Sequence, residues 1–363
     1  MKHGKLIALL LALAMVFALT ACKTTTERPT GSPSPSPSAE QPTDSPEPSP
    51  SEEPSVSPSQ PVEDKNTVRL AVLSGPTGIG AAKLLSEADA DAAANHYDYV
   101  ISADNSELVA GLTNGDIDIA TVASNVAVNL YNKTDGGVKI IALGTQGVLH
   151  ILEGSGGTAI DSISDLAGKT IYSAGQGANP EYILRYLLTE NDLDPDTDVN
   201  IVFADASEIT AKLVSGEIQY AMLPVPAATA AIIKGEGKIR AAVDVTEAWD
   251  DLYNGSELIM TAVVARTEFI EEYPETVAAF LEEYEASIDY VNNHVDEAAE
   301  LIAGYGITPN AAIAKQAIPQ CHLVFLSGKD MSPAISDYFM VLYSVSPSAV
   351  GGALPDDAIY YVP

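Results

Sequence analysis

The chain has 363 residues and carries 50 Asp or Glu side chains against 18 Lys or Arg, which gives a formal net charge of −32 at pH 7. An acidic surface repels phosphate backbones, so this charge excludes nucleic acid as a natural partner. Cys22 and Cys321 are the only cysteines, which excludes a disulfide scaffold and a Cys-rich metal site. We expect Cys321 to be a buried, small apolar residue.

Residues 1–21 are predicted to be a signal peptide. A basic start precedes the apolar run Leu6–Leu19, which is shorter than the roughly 20 residues that span a membrane. The following tetrapeptide, Leu-Thr-Ala-Cys, resembles the lipobox of bacterial lipoproteins, in which the cysteine receives a diacylglycerol group. The resemblance implies that Cys22 is a lipid anchor. An ordinary signal peptide with an incidental cysteine is the alternative.

Residues 22–66 form the next segment, which contains mainly Ser, Pro, Thr and Glu and almost no large apolar side chain. Such a composition predicts a disordered linker with a bias toward polyproline II, because burial cannot offset the loss of chain entropy. Fully extended, the linker reaches on the order of 100 Å from the lipid. It serves either as a stalk through a cell wall or merely as a protease-sensitive connection.

From Thr67 onward, short apolar runs alternate with helical patterns, and this βαβα order predicts parallel sheet covered by helices. A long amphipathic helical region is predicted over Pro274–Ala303, with a core stripe at Val277, Phe280, Leu281, Tyr284, Ile288 and Val291. The strand candidates are Val68–Leu73, Tyr97–Ile101, Ile117–Val122, Val138–Leu143, Thr170–Ser173, Asn200–Phe203, Tyr220–Leu223 and Ile239–Val243.

An internal repeat relates two parts of this region. Residues Ser106–Thr121 align without gaps with Ser207–Met222, at an offset of 101, and seven of the sixteen positions are identical. Each copy has the pattern of a helix that ends at a glycine and continues into a strand. A glycine-rich turn precedes each copy, at Ser74–Gly80 and Ala174–Pro180. The repeat therefore predicts two similar α/β lobes that face each other across a cleft.

The chain from about Val68 to Pro363 resembles the type II extracellular solute-binding proteins of ABC importers, in the branch that binds nitrate, sulfonate, taurine and thiamine precursors. Three elements carry the resemblance in their order and spacing, together with the lipoprotein start: Gly75–Gly78, Asp118–Asn125 and Phe269–Pro274. None of them is specific alone.

The resemblance implies an α/β fold of the periplasmic-binding-protein type II, with mixed, mainly parallel sheets in two lobes joined by a two-crossing hinge. Lobe one would combine residues 67–148 with 262–363, and lobe two would be residues 149–261. The two crossings would lie near Gly147–Gly154 and Glu257–Val264.

The ligand in such a fold lies beyond the carboxyl ends of the strands, where loops lead into helix N-termini with free N–H groups. Capping and turn formation are the alternative roles for residues at these junctions. Because these loops carry no Arg or Lys, an anion would depend on backbone N–H groups and helix dipoles. Tyr172, Tyr182 and Trp249 either stack against a heterocycle or belong to the core or surface. The predicted ligand contacts are Thr77, Gly78, Ile79, Ser124, Asn125, Gln146, Gly147, Gln176, Gly177, Asn179 and Pro224.

The resemblance further implies a binding protein that is not an enzyme and that delivers a small-molecule solute to an ABC permease with its ATPase. We expect a monomer without catalytic residues, metal or cofactor, held by lipid on the extracellular face of the membrane of a bacterium without an outer membrane. The alternative is an enzyme or sensor on the same two-lobed fold, of the thiamine-precursor or menaquinone-biosynthesis type. The fold alone does not decide between them.

Overall fold

The computed structural model describes residues 65–252 and 255–363. The predicted signal peptide, the linker up to residue 64 and the anchor at Cys22 lie outside these ranges. The described residues all belong to one compact unit. Within them, no helix has both the length and the apolar character needed to span a membrane.

Strands and helices alternate along most of the described chain. The strands are β1 Thr67–Leu73, β2 His96–Ser102, β3 Ile119–Ala123, β4 Val138–Thr145, β5 Leu149–Glu153, β6 Thr170–Ser173, β7 Asn200–Phe203, β8 Tyr220–Pro224, β9 Arg240–Asp244, β10 Thr261–Arg266 and β11 Leu323–Ser327. The α-helices are α1 Pro76–Ile79, α2 Ala82–Asp89, α3 Asn105–Asn114, α4 Ser124–Lys133, α5 Asn179–Glu190, α6 Ala206–Ser215, α7 Ala227–Lys234, α8 Val245–Asp250, α9 Thr267–Glu272, α10 Pro274–Asn293, α11 Val295–Gly304, α12 Ala311–Ala317 and α13 Met331–Val345.

The strands form two mixed sheets. The first has the order β11-β4-β10-β3-β1-β2, and the second has the order β7-β6-β8-β5-β9. In the first sheet β1 pairs in parallel with β2 and β3, whereas β10 is antiparallel to both β3 and β4. In the second sheet β6 is parallel to β7 and β8, whereas β5 is antiparallel to β8 and β9. Four strands of each sheet therefore run in one direction, which confirms the predicted mixed, mainly parallel α/β architecture.

All eight predicted strands are present, with ends that agree to within two residues. The prediction was incomplete at three places, because β5, β10 and β11 were not identified as strands. Both stretches assigned to the hinge, Gly147–Gly154 and Glu257–Val264, include most of a strand that pairs inside a sheet. The long helical region is also divided into α10 and α11 at His294, where the backbone leaves the helical region at φ −127° and ψ 56°. The predicted core stripe of α10 is buried, with Leu281 half-buried.

The internal repeat is confirmed in three dimensions. Helix α3 ends at Gly115 and leads into β3, and α6 ends at Gly216 and leads into β8. Both glycines have a φ of 79°, a left-handed conformation in which a Cβ atom would be strained. Equivalent apolar positions of the two copies, such as Leu112 and Leu213, are buried. The same unit thus supports one sheet in each half of the molecule.

We use lobe one for residues 67–148 with 262–363 and lobe two for residues 149–261, the division that the family resemblance implies. Apart from Thr261, the strands of the first sheet lie in lobe one, and the strands of the second sheet lie in lobe two. The division itself stays a prediction.

Candidate functional site

Two cavities open between the carboxyl-terminal ends of strands from both sheets. The first has a volume of about 910 Å³ and the second about 880 Å³. The loops that follow β2 and β7 contribute to both, through Ala103, Asp104 and Asp205. Because these three residues line both cavities, the two spaces are parts of one crevice whose walls come from both lobes.

Beside the first cavity the lobes are joined by hydrogen bonds from two buried asparagines. The Nδ2 atom of Asn125, in α4, donates to the carbonyl oxygen of Gly177 at 3.2 Å and to that of Ala349 at 3.3 Å. The Nδ2 atom of Asn179, in α5, donates to Ser124 Oγ at 3.0 Å and to the carbonyl oxygen of Met260 at 2.9 Å. Two of these bonds, Asn125–Gly177 and Asn179–Ser124, cross between the lobes, and we call those two contacts the interlobe seam. The Oδ1 atoms of both asparagines are buried and have no hydrogen-bond partner among the described residues.

The structure brings together four of the eleven predicted contact residues, since Ser124, Asn125, Gly177 and Asn179 meet at the seam. Gln176 and Gly177 line the first cavity, and Pro224 lines the second. Contact with a ligand stays a prediction for each of them.

The five remaining predicted residues line neither of the two cavities. Thr77 is buried and accepts a hydrogen bond from Thr261 Oγ1 at 3.3 Å, and the next two residues of α1, Gly78 and Ile79, are also buried. Gln146 lines a separate cavity of about 430 Å³, where its Nε2 donates to Glu257 Oε2 at 3.0 Å. The carbonyl oxygen of Gly147 lies 2.7 Å from His322 Nδ1.

Sequence reasoning missed the two aspartates that line both cavities. Asp104 and Asp205 are separated by the repeat offset of 101, and each is the N-cap residue of the repeated helix, α3 or α6. The backbone N–H of Ser106 donates to Asp104 Oδ1 at 2.7 Å, and hydrogen bonding from Ser106 lowers the pKa of this carboxyl. The Asp205 carboxylate makes no such cap bond. Extending the repeat alignment by three residues, to Ala103 and Ala204, would have identified the pair.

The backbone N–H groups that were expected to face an anion already have internal acceptors. The N–H of Gly177 donates to Glu181 Oε2 at 2.8 Å, and the N–H of Ser124 donates to the carbonyl oxygen of Met260 at 3.1 Å. At α1, the N–H of Gly78 donates to the carbonyl oxygen of Gly75 at 3.1 Å. The expectation of free N–H groups is therefore wrong at these three positions.

Lysine side chains reach the crevice from helices rather than from the loops. Lys133 and Lys212 line the first cavity, and Lys234 lines the second. The Nζ atom of Lys212 pairs with Glu208 at 2.8 Å and lies 5.7 Å from the ring centre of Tyr172. These contacts hold its ammonium group against lobe two.

The aromatic candidates have different locations. Tyr172 lines the first cavity, whereas Trp249 is fully buried and donates from Nε1 to the carbonyl oxygen of Ser256 at 3.0 Å. Tyr182 is half-buried and packs against the main core. Cys321 is fully buried, and burial raises the pKa of its thiol to about 12, which confirms that it is a buried residue of low reactivity.

The two mixed sheets and the crevice between them define an α/β protein of the periplasmic-binding-protein fold. The sequence profile described as NMT1/THI5 like matches residues 97–298, more than half of the chain. The chain therefore belongs to the NMT1/THI5-like family. No curated protein matches the sequence.

Solved structures share the fold over most of the chain. An ABC transporter structure from Parabacteroides distasonis has a TM-score of 0.68 and 24% identity, and the match covers 82% of this chain and 99% of that chain. The periplasmic aliphatic sulphonate binding protein SsuA from Escherichia coli has a TM-score of 0.66 and 14% identity, over 82% of this chain and 92% of that chain. The CA3427 gene product of Candida albicans, a protein with the generic periplasmic binding protein fold, has a TM-score of 0.55 and 15% identity, over 81% of this chain and 93% of that chain.

Proposed function

We propose that the chain is the solute-binding component of an ABC importer and that its two lobes close around a small molecule. The observation that carries the proposal is that both large cavities have walls from both lobes. A movement of one lobe against the other would therefore change the shape of the site, as in hinge-type closure around a ligand. The similarity to the ABC transporter structure from Parabacteroides distasonis and to the sulphonate binding protein SsuA supports the same function.

We propose that the protein binds its solute without converting it chemically. The described chain offers a thiol, Cys321, that is buried with its pKa raised to about 12, so this thiol is unsuited to nucleophilic catalysis. The residues proposed to contact the solute are those that line the crevice or meet beside it: Asp104, Asp205, Ser124, Asn125, Gln176, Gly177, Asn179 and Pro224. The partners would be a permease and its ATPase, and the binding component itself would be a monomer.

The test is a thermal-shift screen of the full chain against small molecules that include sulfonates, amines, amino acids and heterocycles. A ligand at 100 times its Kd should add about 2.7 kcal/mol to the free energy of unfolding. Each hit is then incubated with the protein and examined by NMR. Recovery of the unchanged compound supports a binding protein, whereas its conversion would overturn the proposal in favour of an enzyme.

The proposed location is the extracellular face of the membrane, with Cys22 as the lipid anchor and the Ser/Pro-rich segment as the tether. Cys22→Ala should move the protein from the membrane fraction into the medium. Cys321→Ala is the matched control, because Cys321 is buried in the core. This variant should stay in the membrane fraction. Retention of the Cys22→Ala protein at the membrane would contradict lipid anchoring.

A further inference from the structure

The hydrophobic core does not divide where the two lobes divide. The larger cluster of buried side chains joins lobe-one residues such as Phe339 to Trp249 and the buried side of α5, which belong to lobe two. It includes Met222 of β8, whereas the next residue, Leu223, belongs to a smaller cluster found only in lobe two. Successive strand residues point to opposite faces of a sheet. One face of the second sheet therefore shares the core of lobe one, and the other face has its own core with α6 and α7.

Three aromatic rings connect the lobes on the shared face. The Trp249 ring, in α8, lies 5.0 Å from the ring of Tyr186 in α5 and 5.7 Å from the ring of Tyr338 in α13. Trp249 and Tyr338 are fully buried, and the Tyr338 hydroxyl has no hydrogen-bond partner among the described residues. We call these three residues the aromatic cluster. Because Tyr338 is held by packing alone, separating the lobes here would expose large rings to water.

Helix α5 ties lobe two to lobe one along its length. At its first residue, Asn179 donates to Ser124 Oγ in the interlobe seam. Further along, α5 packs against α13 of lobe one. Separating the lobes along α5 would break the seam and the helix packing together. The α5 residues that belong to the larger core are Ile183, Leu184, Leu187 and Leu188.

The opposite side of the crevice has weaker contacts. There α7 of lobe two neighbours α12 of lobe one, and the second cavity, of about 880 Å³, lies between Ala230 of α7 and Ile307 and Pro309 before α12. In the described chain, no hydrogen bond or ion pair joins α7 to residues 306–317. Because a cavity already separates these residues, opening on this side removes less buried surface than opening at the aromatic cluster.

We infer that the aromatic cluster is the fixed pivot of the lobe movement and that the crevice opens between α7 and α12, which makes the second cavity its mouth. This inference rests on the proposed solute-binding function and adds the direction of the movement. Domain closure combines bending at a few hinge residues with small sliding of packed helices. Here the chain crossings would bend, while α5 and α13 stay in contact.

The test measures distances between pairs of spin labels by double electron–electron resonance, in the full chain without a ligand. The Cys22→Ala background is used, and the buried Cys321 stays unlabelled. The first pair replaces Thr189 of α5 and Ser344 of α13, and the second replaces Ile233 of α7 and Gln316 of α12; all four residues are exposed. We expect one narrow distance for the first pair and an additional, longer distance for the second pair.

Two outcomes would contradict the inference in different ways. An additional, longer distance at the α5–α13 pair would place the pivot elsewhere, which overturns the inference and leaves solute binding by lobe closure intact. A single narrow distance at both pairs would mean that the crevice does not open. That result would overturn the inference together with the proposed closure around a solute.

Variants of Tyr338 test the aromatic cluster itself. Tyr338→Leu removes the ring but remains apolar, and it should produce a longer distance at the α5–α13 pair. It should also increase the quenching by acrylamide of Trp249, the single tryptophan of the chain. Tyr338→Phe keeps the ring and should change neither measurement. Phe280→Leu is the matched control, because Phe280 is also fully buried and stacks on Tyr284 inside lobe one, at 5.7 Å.

The controls distinguish a pivot from a general loss of stability. Urea unfolding should show a lower free energy of unfolding for both Tyr338→Leu and Phe280→Leu. Only Tyr338→Leu should change the α5–α13 distance. An unchanged distance in Tyr338→Leu, or the same change in Phe280→Leu, would overturn the assignment of the pivot to the aromatic cluster.

Discussion

The two copies of the repeated unit, residues 106–121 and 207–222, have the same helix end and the same buried apolar positions. They differ in the ion pairs that link the strand to its neighbours. In both copies a helix ends at a left-handed glycine, and a buried isoleucine follows, Ile117 or Ile218. Local helix-stop chemistry and apolar burial are therefore common to both lobes.

The difference lies at the residue that immediately precedes the strand, Asp118 before β3 and Gln219 before β8. In the first copy the buried Asp118 accepts hydrogen bonds from Arg69 Nε at 2.8 Å and from Arg266 Nη2 at 2.9 Å. These arginines belong to β1 and β10, the strands on either side of β3. The equivalent residue of the second copy, Gln219, is exposed.

Lobe two has its own buried carboxylate at another place in its sheet. Glu153, in β5, is 0% exposed and pairs with Arg240 Nη2 of β9 at 2.8 Å. It also accepts from the backbone N–H of Ala159 at 2.9 Å. The comparison shows that the repeat specifies a helix-to-strand unit, whereas the buried ion pairs that link neighbouring strands of each sheet lie at different positions.

The largest expected effect comes from removing the carboxylate that distinguishes the copies. Asp118→Ala would leave two arginines without their shared partner. Breaking a fully buried ion pair costs about 3–5 kcal/mol, and because the Arg69 side chain is 40% exposed, we expect a loss at or below the lower end of that range. Gln219→Ala changes an exposed side chain, so its effect should stay within about 0.5 kcal/mol. Urea unfolding of both variants measures the difference in the free energy of unfolding. Similar values for the two variants would show that Asp118 does not fasten the first sheet.

A smaller and equal effect is expected at the feature that the copies share. Gly115→Ala and Gly216→Ala would each force a Cβ atom into the left-handed region, which costs about 1–2 kcal/mol. An added Cβ would meet only ordinary contacts at both positions, 3.8 Å from Arg266 Nη1 and 3.7 Å from Ser155 Oγ. Backbone strain alone should therefore set the cost. Thermal unfolding checks the prediction, and a clear difference between the two variants would contradict an equivalent role.

The sequence predicted those parts of the fold that depend on local patterns. Alternating apolar residues identify strands such as β6 and β7, and a glycine after a helical pattern identifies the helix ends at Gly115 and Gly216. The strands β5 and β10 were missed, because their assignment depends on pairing with strands distant in the sequence, such as β8 and β4.

The candidate site was predicted at the level of loops rather than side chains. The loops after β3 and β6 do meet, through Asn125 and Gly177. Which side chains face the crevice depends on how the lobes approach each other, and no local pattern encodes that. Asp104 and Asp205 are the exception, because their positions follow from the repeat itself.

The smallest expected effect concerns the pH dependence of the contact that only the first copy has. Burial raises the pKa of Asp118, but the hydrogen bonds from Arg69 and Arg266 outweigh burial and leave the pKa below its ordinary value. A carboxyl whose pKa is lowered in the folded state stabilises the fold above its unfolded pKa of about 3.9, and this contribution is lost as the pH falls. By pH 3 the loss should amount to at most about 1.3 kcal/mol.

The measurement is the difference in the free energy of unfolding between the wild type and Asp118→Asn, taken from about pH 7 to pH 3. Because the other carboxyls titrate alike in both proteins, the difference isolates Asp118. It should be constant at neutral pH and become smaller below about pH 4, where the unfolded wild-type chain takes up the proton that the variant cannot bind. Gln219→Glu introduces a carboxyl at the equivalent exposed position of the second copy, and without an arginine clamp it should produce no such pH-dependent difference. If the difference in the free energy of unfolding between the wild type and Asp118→Asn stays constant down to pH 3, the arginines do not lower the pKa of Asp118 in the folded protein. The contrast between the two copies would then be one of packing rather than of charge.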